Sequence, residues 1–165
     1  MAIQTLEDLF IAELSDTYDS EKQITKALPK MAKAATDKNL AKGFLTHLKE
    51  TENQIKRIEK AVASAGLKLK KNKCEATQGL VAEAKEAMEE IEKGYVLDVA
   101  LIASAQKVEH YEIASYGTLV ELARQLGYDD AADLLQETLD EEKATDEKLT
   151  SLAEGGINEQ ALMAA

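Results

Sequence analysis

The stretch Leu101–Leu126, LIASAQKVEHYEIASYGTLVELARQL, decides the fold. Steps of three and four residues through it give Leu101, Ala105, Val108, Glu112, Ser115, Leu119, Leu122 and Leu126, a helical stripe that is apolar except at its middle. The segment that follows repeats the pattern as Leu135, Leu139, Glu142, Asp146, Leu149 and Ala153. No Lys or Arg lies on either stripe. An unpaired carboxylate taken out of water costs on the order of several kcal/mol, so such a group must be protonated, hydrated, paired or bound to a cation.

Outward from this segment the chain reads as four long helices and one shorter one. The first begins after Thr5, where Thr5 and Asp8 have the spacing of a capping box, and runs to about Ala35, with Pro29 expected to bend it. Thr36 or Asp37 caps the second, whose stripe is Phe44, Leu48, Thr51, Ile55, Ile58 and Val62 and which Gly66 ends. After an irregular stretch from Leu67 to Cys74, a shorter amphipathic helix spans about Glu75 to Lys93 and stops at Gly94. The third long helix runs from about Tyr95 to Leu126, Gly127 stops it, and Asp129 caps a fourth that lasts to Gly155 and Gly156. Short turns make antiparallel hairpins of the first and last helix pairs, and the long connection between the hairpins carries the short fifth helix. The expected fold is therefore all-α, a ferritin-like four-helix bundle of two antiparallel hairpins with a long crossover. Residues 1–165 form one domain, its core at about 3–153 with a short C-terminal tail.

Composition agrees with this reading. The chain has 45% hydrophobic and 31% charged residues, one Pro and no Trp, and it lacks an apolar run of the roughly 20 residues needed to span a bilayer. A net charge of -11 argues against nucleic acid, whose phosphates require clustered Lys and Arg. The small cluster Lys68, Lys70, Lys71 and Lys73 reads as a solvated connection. Cys74 is the sole cysteine, so no internal disulfide forms. Polar Gln4, Thr5, Glu7 and Asp8 close to the start give no signal-peptide pattern, and the expected location is cytoplasmic.

Counting from the hairpin turns estimates depth in the bundle, because antiparallel partners at equal counts lie at one height. Glu112 stands fifteen residues before Gly127 and Glu142 fifteen after it, so they share a level. In the other hairpin Glu21 and Glu50 fall near the same depth, although each lies at the flank of its apolar face and alone reads as a boundary residue. Glu109, one turn before Glu112, and Asp146, one turn after Glu142, are supplementary candidates. His47 sits three residues before Glu50 on the same side of its helix, placed to coordinate or to orient a ligand. Thr17, Ser20, Thr51 and Ser115 take positions where Leu would otherwise fill space. Oxygen-rich donors from four helices suit iron or manganese in a dinuclear site. His110 reads as a surface or subunit-contact residue. Tyr18, Tyr111 and Tyr116 are candidates to line a redox site, against the usual role of an interior Tyr, packing with a hydrogen-bonded tip.

Several segments together resemble the YciE/YciF family of bacterial stress-associated ferritin-like proteins, the YciF branch most. They are Leu14–Tyr18 with Glu21, Lys22 and Gln23; His47 and Leu48 with Glu50, Thr51 and Gln54; QKVEHYEIASYGTL from Gln106 to Leu119; Gln125–Tyr128; and LDEEKATDEKL from Leu139 to Leu149. The resemblance implies a cytoplasmic homodimer linked to stress responses, with ligands at Glu21, Glu50, Glu109, Glu112 and Glu142. One departure stands out. Ferritin-like helices carry Glu-x-x-His, whereas here Asn53 follows Glu50 and Thr145 follows Glu142 at that spacing.

Two functions compete at this point. One is a dimetal-carboxylate protein acting on peroxide or oxygen, its redox partner not specified by the sequence. The other is a non-catalytic helical protein that dimerises or binds a partner and has lost a working metal site. An iron-storage shell is a weaker third. Whether the protein is an enzyme does not follow from the fold.

Overall fold

The computed structural model describes residues 3–164 of the chain, and every element in them is helical. The order is α1 (Leu6–Ala34), α2 (Lys38–Ser64), α3 (Glu75–Glu90), α4 (Tyr95–Gln125), α5 (Asp129–Leu152) and α6 (Asn158–Met163). No helix of the described residues is long and apolar enough to cross a membrane.

The termini follow from local chemistry. Thr5 Oγ1 accepts the Asp8 N–H at 3.0 Å while Asp8 Oδ2 accepts the Thr5 N–H at 3.1 Å, which closes the expected capping box on α1. Asp37 Oδ1 takes the N–H groups of Asn39 and Leu40 at 2.8 and 2.9 Å and so starts α2. Gly66 and Gly127, at φ 69° and 77°, end α2 and α4 in the left-handed region. The next residue in each case reaches back to the last turn, Leu67 N–H to the Val62 carbonyl and Tyr128 N–H to that of Ala123.

Three boundaries differ from the sequence expectation. Asp129 is the first residue of α5 and not its cap, because the turn at Gly127 leads directly into the helix and the Tyr128 carbonyl accepts the Ala132 N–H at 2.9 Å. Helix α3 stops at Glu90, with Ile91 already extended. Gly156, at φ 142°, breaks the path between α5 and the short α6, which the periodicity did not indicate.

Helix α1 packs on α2 and α4 on α5; the two pairs meet through α2 with α5 and α1 with α4, and α3 lies over α1 and α4. The buried side chains separate into two apolar clusters. One holds Phe10, Leu14, Ile58, Tyr116, Leu119 and Leu135, the other Ile24, Leu28, Leu40, Phe44, Leu101 and Leu149. Each long helix contributes to both, and between its two contributions it carries buried polar residues: Glu21 on α1; His47, Thr51 and Gln54 on α2; Glu109 and Glu112 on α4; Glu142 on α5. A polar layer therefore divides the core at mid-height.

Candidate metal centre

The layer is built by rotating two helices away from their most apolar faces. On α4 the buried line runs Leu101, Ala105, Glu109, Glu112, Tyr116, Leu119 and Ala123, while Val108, Ser115, Leu122 and Leu126 are only partly covered. On α2 it runs Phe44, His47, Thr51, Gln54 and Ile58, leaving Leu48 and Ile55 at the edge. The spacing is helical in both readings, but the inward face differs by about one residue.

Four side chains from three helices converge. His47, Glu109, Glu112 and Glu142 each offer a ligand atom, all within 4.8 Å of one another, and all four are buried. His47 Nε2 is 3.1 Å from Glu109 Oε1, off the line of a hydrogen bond, and 3.8 Å from Glu142 Oε2. Gln54 Nε2 donates to Glu142 Oε1 and, at 2.9 Å, to Glu141 Oε2. Glu141 in turn receives both terminal nitrogens of Arg57. No Lys or Arg is buried among the described residues, so His47 is the one buried group there able to supply positive charge.

The remaining candidates divide. Glu21 is fully buried, which corrects its reading as a boundary residue, and its Oε1 accepts from the Tyr116 hydroxyl. Glu50 lies outside the four, at 34% side-chain exposure, with Oε2 3.4 Å from His47 Nδ1. Asp146 does not join them either. It is partly exposed and faces His110 Nε2 at 3.2 Å and Gln106 Nε2 at 3.3 Å. Thr145, which stands where the ferritin-like Glu-x-x-His pattern carries an imidazole, brings its hydroxyl within 3.4 Å of His47 Nδ1. Of the three tyrosines, only Tyr116 touches one of the buried acids. Tyr111 donates to Asp16 at 2.9 Å and Tyr18 to Glu59 at 2.7 Å.

Burial and mutual repulsion govern the electrostatics of the layer. Burial pushes Glu21 up to about 7, even with the Tyr116 hydroxyl and His47 acting to lower it. Burial likewise holds Glu112 well above the usual carboxylate range, and the charges of Glu21, Glu142 and Glu109 add to it. Glu142 is raised by burial and by Glu109, against His47. Burial alone would lower His47, but Glu109, Glu50 and Glu142 together hold it well above its ordinary value. Both oxygens of Glu112, one each of Glu21, Glu109 and Glu142, and His47 Nε2 are buried without a hydrogen-bond partner.

Gln54 is the member of the layer that the apolar stripes hid. The signal that finds it is polar periodicity, since His47, Thr51 and Gln54 follow one another at helical spacing on α2.

Comparison with known proteins places the chain in a family. The chain is 57% identical over 162 residues to Protein YciF of Escherichia coli, covering 98% of each chain. Its fold matches the crystal structure of the E. coli stress protein YciF with a TM-score of 0.92 over 94% of this chain and 99% of the other, at 58% identity. YcfI of Rhodopseudomonas palustris matches with a TM-score of 0.86 at 49% identity, over 90% and 95% of the two chains. A protein of Xanthomonas campestris, 21% identical, shares the fold at a TM-score of 0.75 over 97% and 98%. These findings bear out the resemblance to YciF seen in the sequence. The family described as Domain of unknown function (DUF892) matches residues 5–162, and the chain belongs to it.

Proposed function

We propose that this is a ferritin-like stress protein whose polar layer binds iron or manganese in a dinuclear carboxylate site. The observation that carries the reading is the set of unpartnered, buried donor atoms on Glu21, His47, Glu109, Glu112 and Glu142. A cation bound there would satisfy them together and remove the mutual repulsion of the acids. The donors are hard oxygens with one imidazole, a set that suits iron or manganese. Glu21, Glu109, Glu112 and Glu142 would hold the metal together with His47, and their carboxylate oxygens outnumber the roughly six positions of one octahedral ion, a surplus that would accommodate two ions. Such a centre, once loaded, would supply electron transfer to oxygen or peroxide. The protein's own contribution is to hold the acids in place through Tyr116 and Gln54 and to keep the site away from bulk water.

Glu50 and Asp146 have lesser parts in this reading. Glu50 orients His47 from the surface side, and Asp146 belongs to the contact between α4 and α5. A homodimer in the cytoplasm accompanies the proposal, and a sizing column checks the dimer.

The test is metal analysis of protein purified without chelator, followed by titration with ferrous iron and manganese. Binding in the wild type that disappears in a helical Glu112→Ala, Glu142→Ala double variant is the expected result. Wild type that stays metal-free after growth with added metal and on titration would overturn it.

One observation favours a second reading, in which the layer is a structural polar core of a non-catalytic, partner-binding protein. His47 beside Glu109, together with protons on the raised carboxyls, neutralises part of the charge without any ion. Stability that is indifferent to added metal and to chelator would select it.

A further inference from the structure

Three spaces in the protein share walls, and their order across the molecule is informative. On the surface between α1 and α3 lies a groove of about 190 Å³ with Lys26, Lys30 and Lys85 on its rim and Met88 on its floor. Ala27, Met31, Val81 and Ala84 form both the inner wall of this groove and the outer wall of a smaller chamber. That chamber, about 20 Å³, continues inward between Leu28, Leu80, Ala105 and Val108 and ends on His47 and Glu109. A second small space of about 20 Å³ shares Leu28, His47, Ala105 and Glu109 with this chamber and is lined also by Gly43 and Glu50 of α2 and Thr145 and Lys148 of α5.

We infer that the α1–α3 side is the entrance by which dioxygen reaches the centre, through the gap bounded by Ala27, Met31, Val81 and Ala84. The inference rests on the dimetal reading above for what waits at its inner end. Size excludes organic substrates, because a space of 20 Å³ holds about one water-sized molecule. Chemistry narrows the choice further. Apart from Ser104 and the two terminal residues, the chamber is lined by aliphatic side chains and Met31, which offer a polar molecule almost no hydrogen bonds in exchange for its hydration. Cations are disfavoured at this end by the three lysines at the groove and by the apolar walls. A small neutral gas passes both barriers without desolvation cost.

The gap residues are small where they need to be. Ala27 on α1 and Ala84 on α3 line both the groove and the chamber, so side chains larger than Ala at these positions would project into the space between them. Residues of the metal centre are not involved, so the gap can be closed without altering a ligand.

Dioxygen itself tests the passage on the metal-free protein, since a small neutral molecule enters dry apolar space under pressure. Crystals of the wild type pressurised with dioxygen should show the molecule between Leu28, Leu80, Ala105 and Val108, and Ala27→Leu should exclude it. Dioxygen absent from the chamber in the wild type overturns the passage, whatever the metal does. The second measurement uses protein loaded with ferrous iron and exposed to air-saturated buffer. Two ferrous ions each give up one electron, and dioxygen takes up both with two protons to leave as hydrogen peroxide. Ala27→Leu and Ala84→Leu should slow this oxidation several-fold with unchanged iron stoichiometry, and Leu80→Ala should not slow it. Partly exposed Ala27 guards against the chance that the fully buried Ala84 variant misfolds. Oxidation at the wild-type rate in the folded Ala27→Leu protein whose chamber takes up no dioxygen overturns the entrance and leaves the metal reading intact. Failure of the wild type to bind iron overturns the metal reading and, with it, dioxygen as the occupant.

Discussion

His47 Nε2 and Glu109 Oε1 stand 3.1 Å apart across the core, an imidazole from α2 and a carboxylate from α4 with both side chains almost wholly covered. Glu142 lies just beyond, 3.8 Å from the same nitrogen. The imidazole thus sits among acids that hold its proton, and the acids are buried enough to want protons of their own.

The metal-free protein should therefore grow more stable as pH falls from 8 to 5. Glu21, raised to about 7 from an unfolded value near 4.5, binds a proton in the folded state over that interval while the unfolded chain releases it. His47, Glu112 and Glu142 are shifted upward as well, so all four contribute with the same sign: stability present at low pH and lost as pH rises through the folded values. Glu50 is shifted downward, chiefly by His47, and its opposing effect belongs to pH below the ordinary carboxylate value. For Glu21 alone the effect is on the order of a few kcal/mol. Urea denaturation at several pH values in the presence of chelator measures it, and a midpoint that rises from pH 5 to 8 contradicts it.

Glu112→Leu should stabilise the metal-free protein and abolish its response to metal. Both Glu112 oxygens lack partners, and three other acids press on them. Replacement of such a group by an apolar one of similar size is worth about 1–4 kcal/mol when it is favourable. Thermal melts with and without manganese should show a higher metal-free Tm in the variant and no metal-dependent increase, whereas wild type should gain stability from the ion.

The outer parts of the fold were readable because they are ordinary amphipathic helix ends. Thr5, Asp37, Gly66 and Gly127 do locally what their residue types dictate, and the long helices followed from them. The middle was harder to read. Hydrophobic periodicity assumes an apolar interior, so on α4 it favoured Val108 and Ser115 over Glu109 and Tyr116, and on α2 it favoured Leu48 and Ile55 over His47 and Gln54. Height was recoverable, since Glu112 and Glu142 do meet where equal counts from Gly127 place them. Rotation was recoverable only in part, which explains why Asp146 looked inward from the sequence and faces His110 in the structure.

Asp98 stands out neither by hydrophobic periodicity nor by height in the bundle, yet it anchors the first hairpin. This buried side chain accepts the backbone N–H groups of Thr36 and Asp37, each at 2.7 Å, and so ties the turn between α1 and α2 to the start of α4. Asp98→Ala orphans both donors. Hydrogen bonds to a carboxylate contribute about 1.5–3 kcal/mol each, so a loss of roughly 3 kcal/mol or more is expected in chemical denaturation. Asp98→Asn, which keeps one acceptor oxygen, should recover part of it. A loss within 0.5 kcal/mol, about the scatter of surface substitutions, would show the anchor to be dispensable.

Tyr116→Phe separates packing from polarity at the edge of the polar layer. The ring stays in the apolar cluster with Phe10 and Leu119, so little packing is lost, but Glu21 Oε1 loses the hydroxyl that donates to it. Its other oxygen already lacks a partner, so the carboxylate would be left bare. The cost should be about 1–3 kcal/mol at pH 8, where Glu21 is largely ionised, and smaller at pH 5, where it is protonated in the folded state. Because the hydroxyl lowers the Glu21 value in the wild type, its removal should also move the pH dependence of metal-free stability upward. A cost that is equal at both pH values would mean that the bond serves packing alone and that Tyr116 has no part in holding Glu21 ready for a cation.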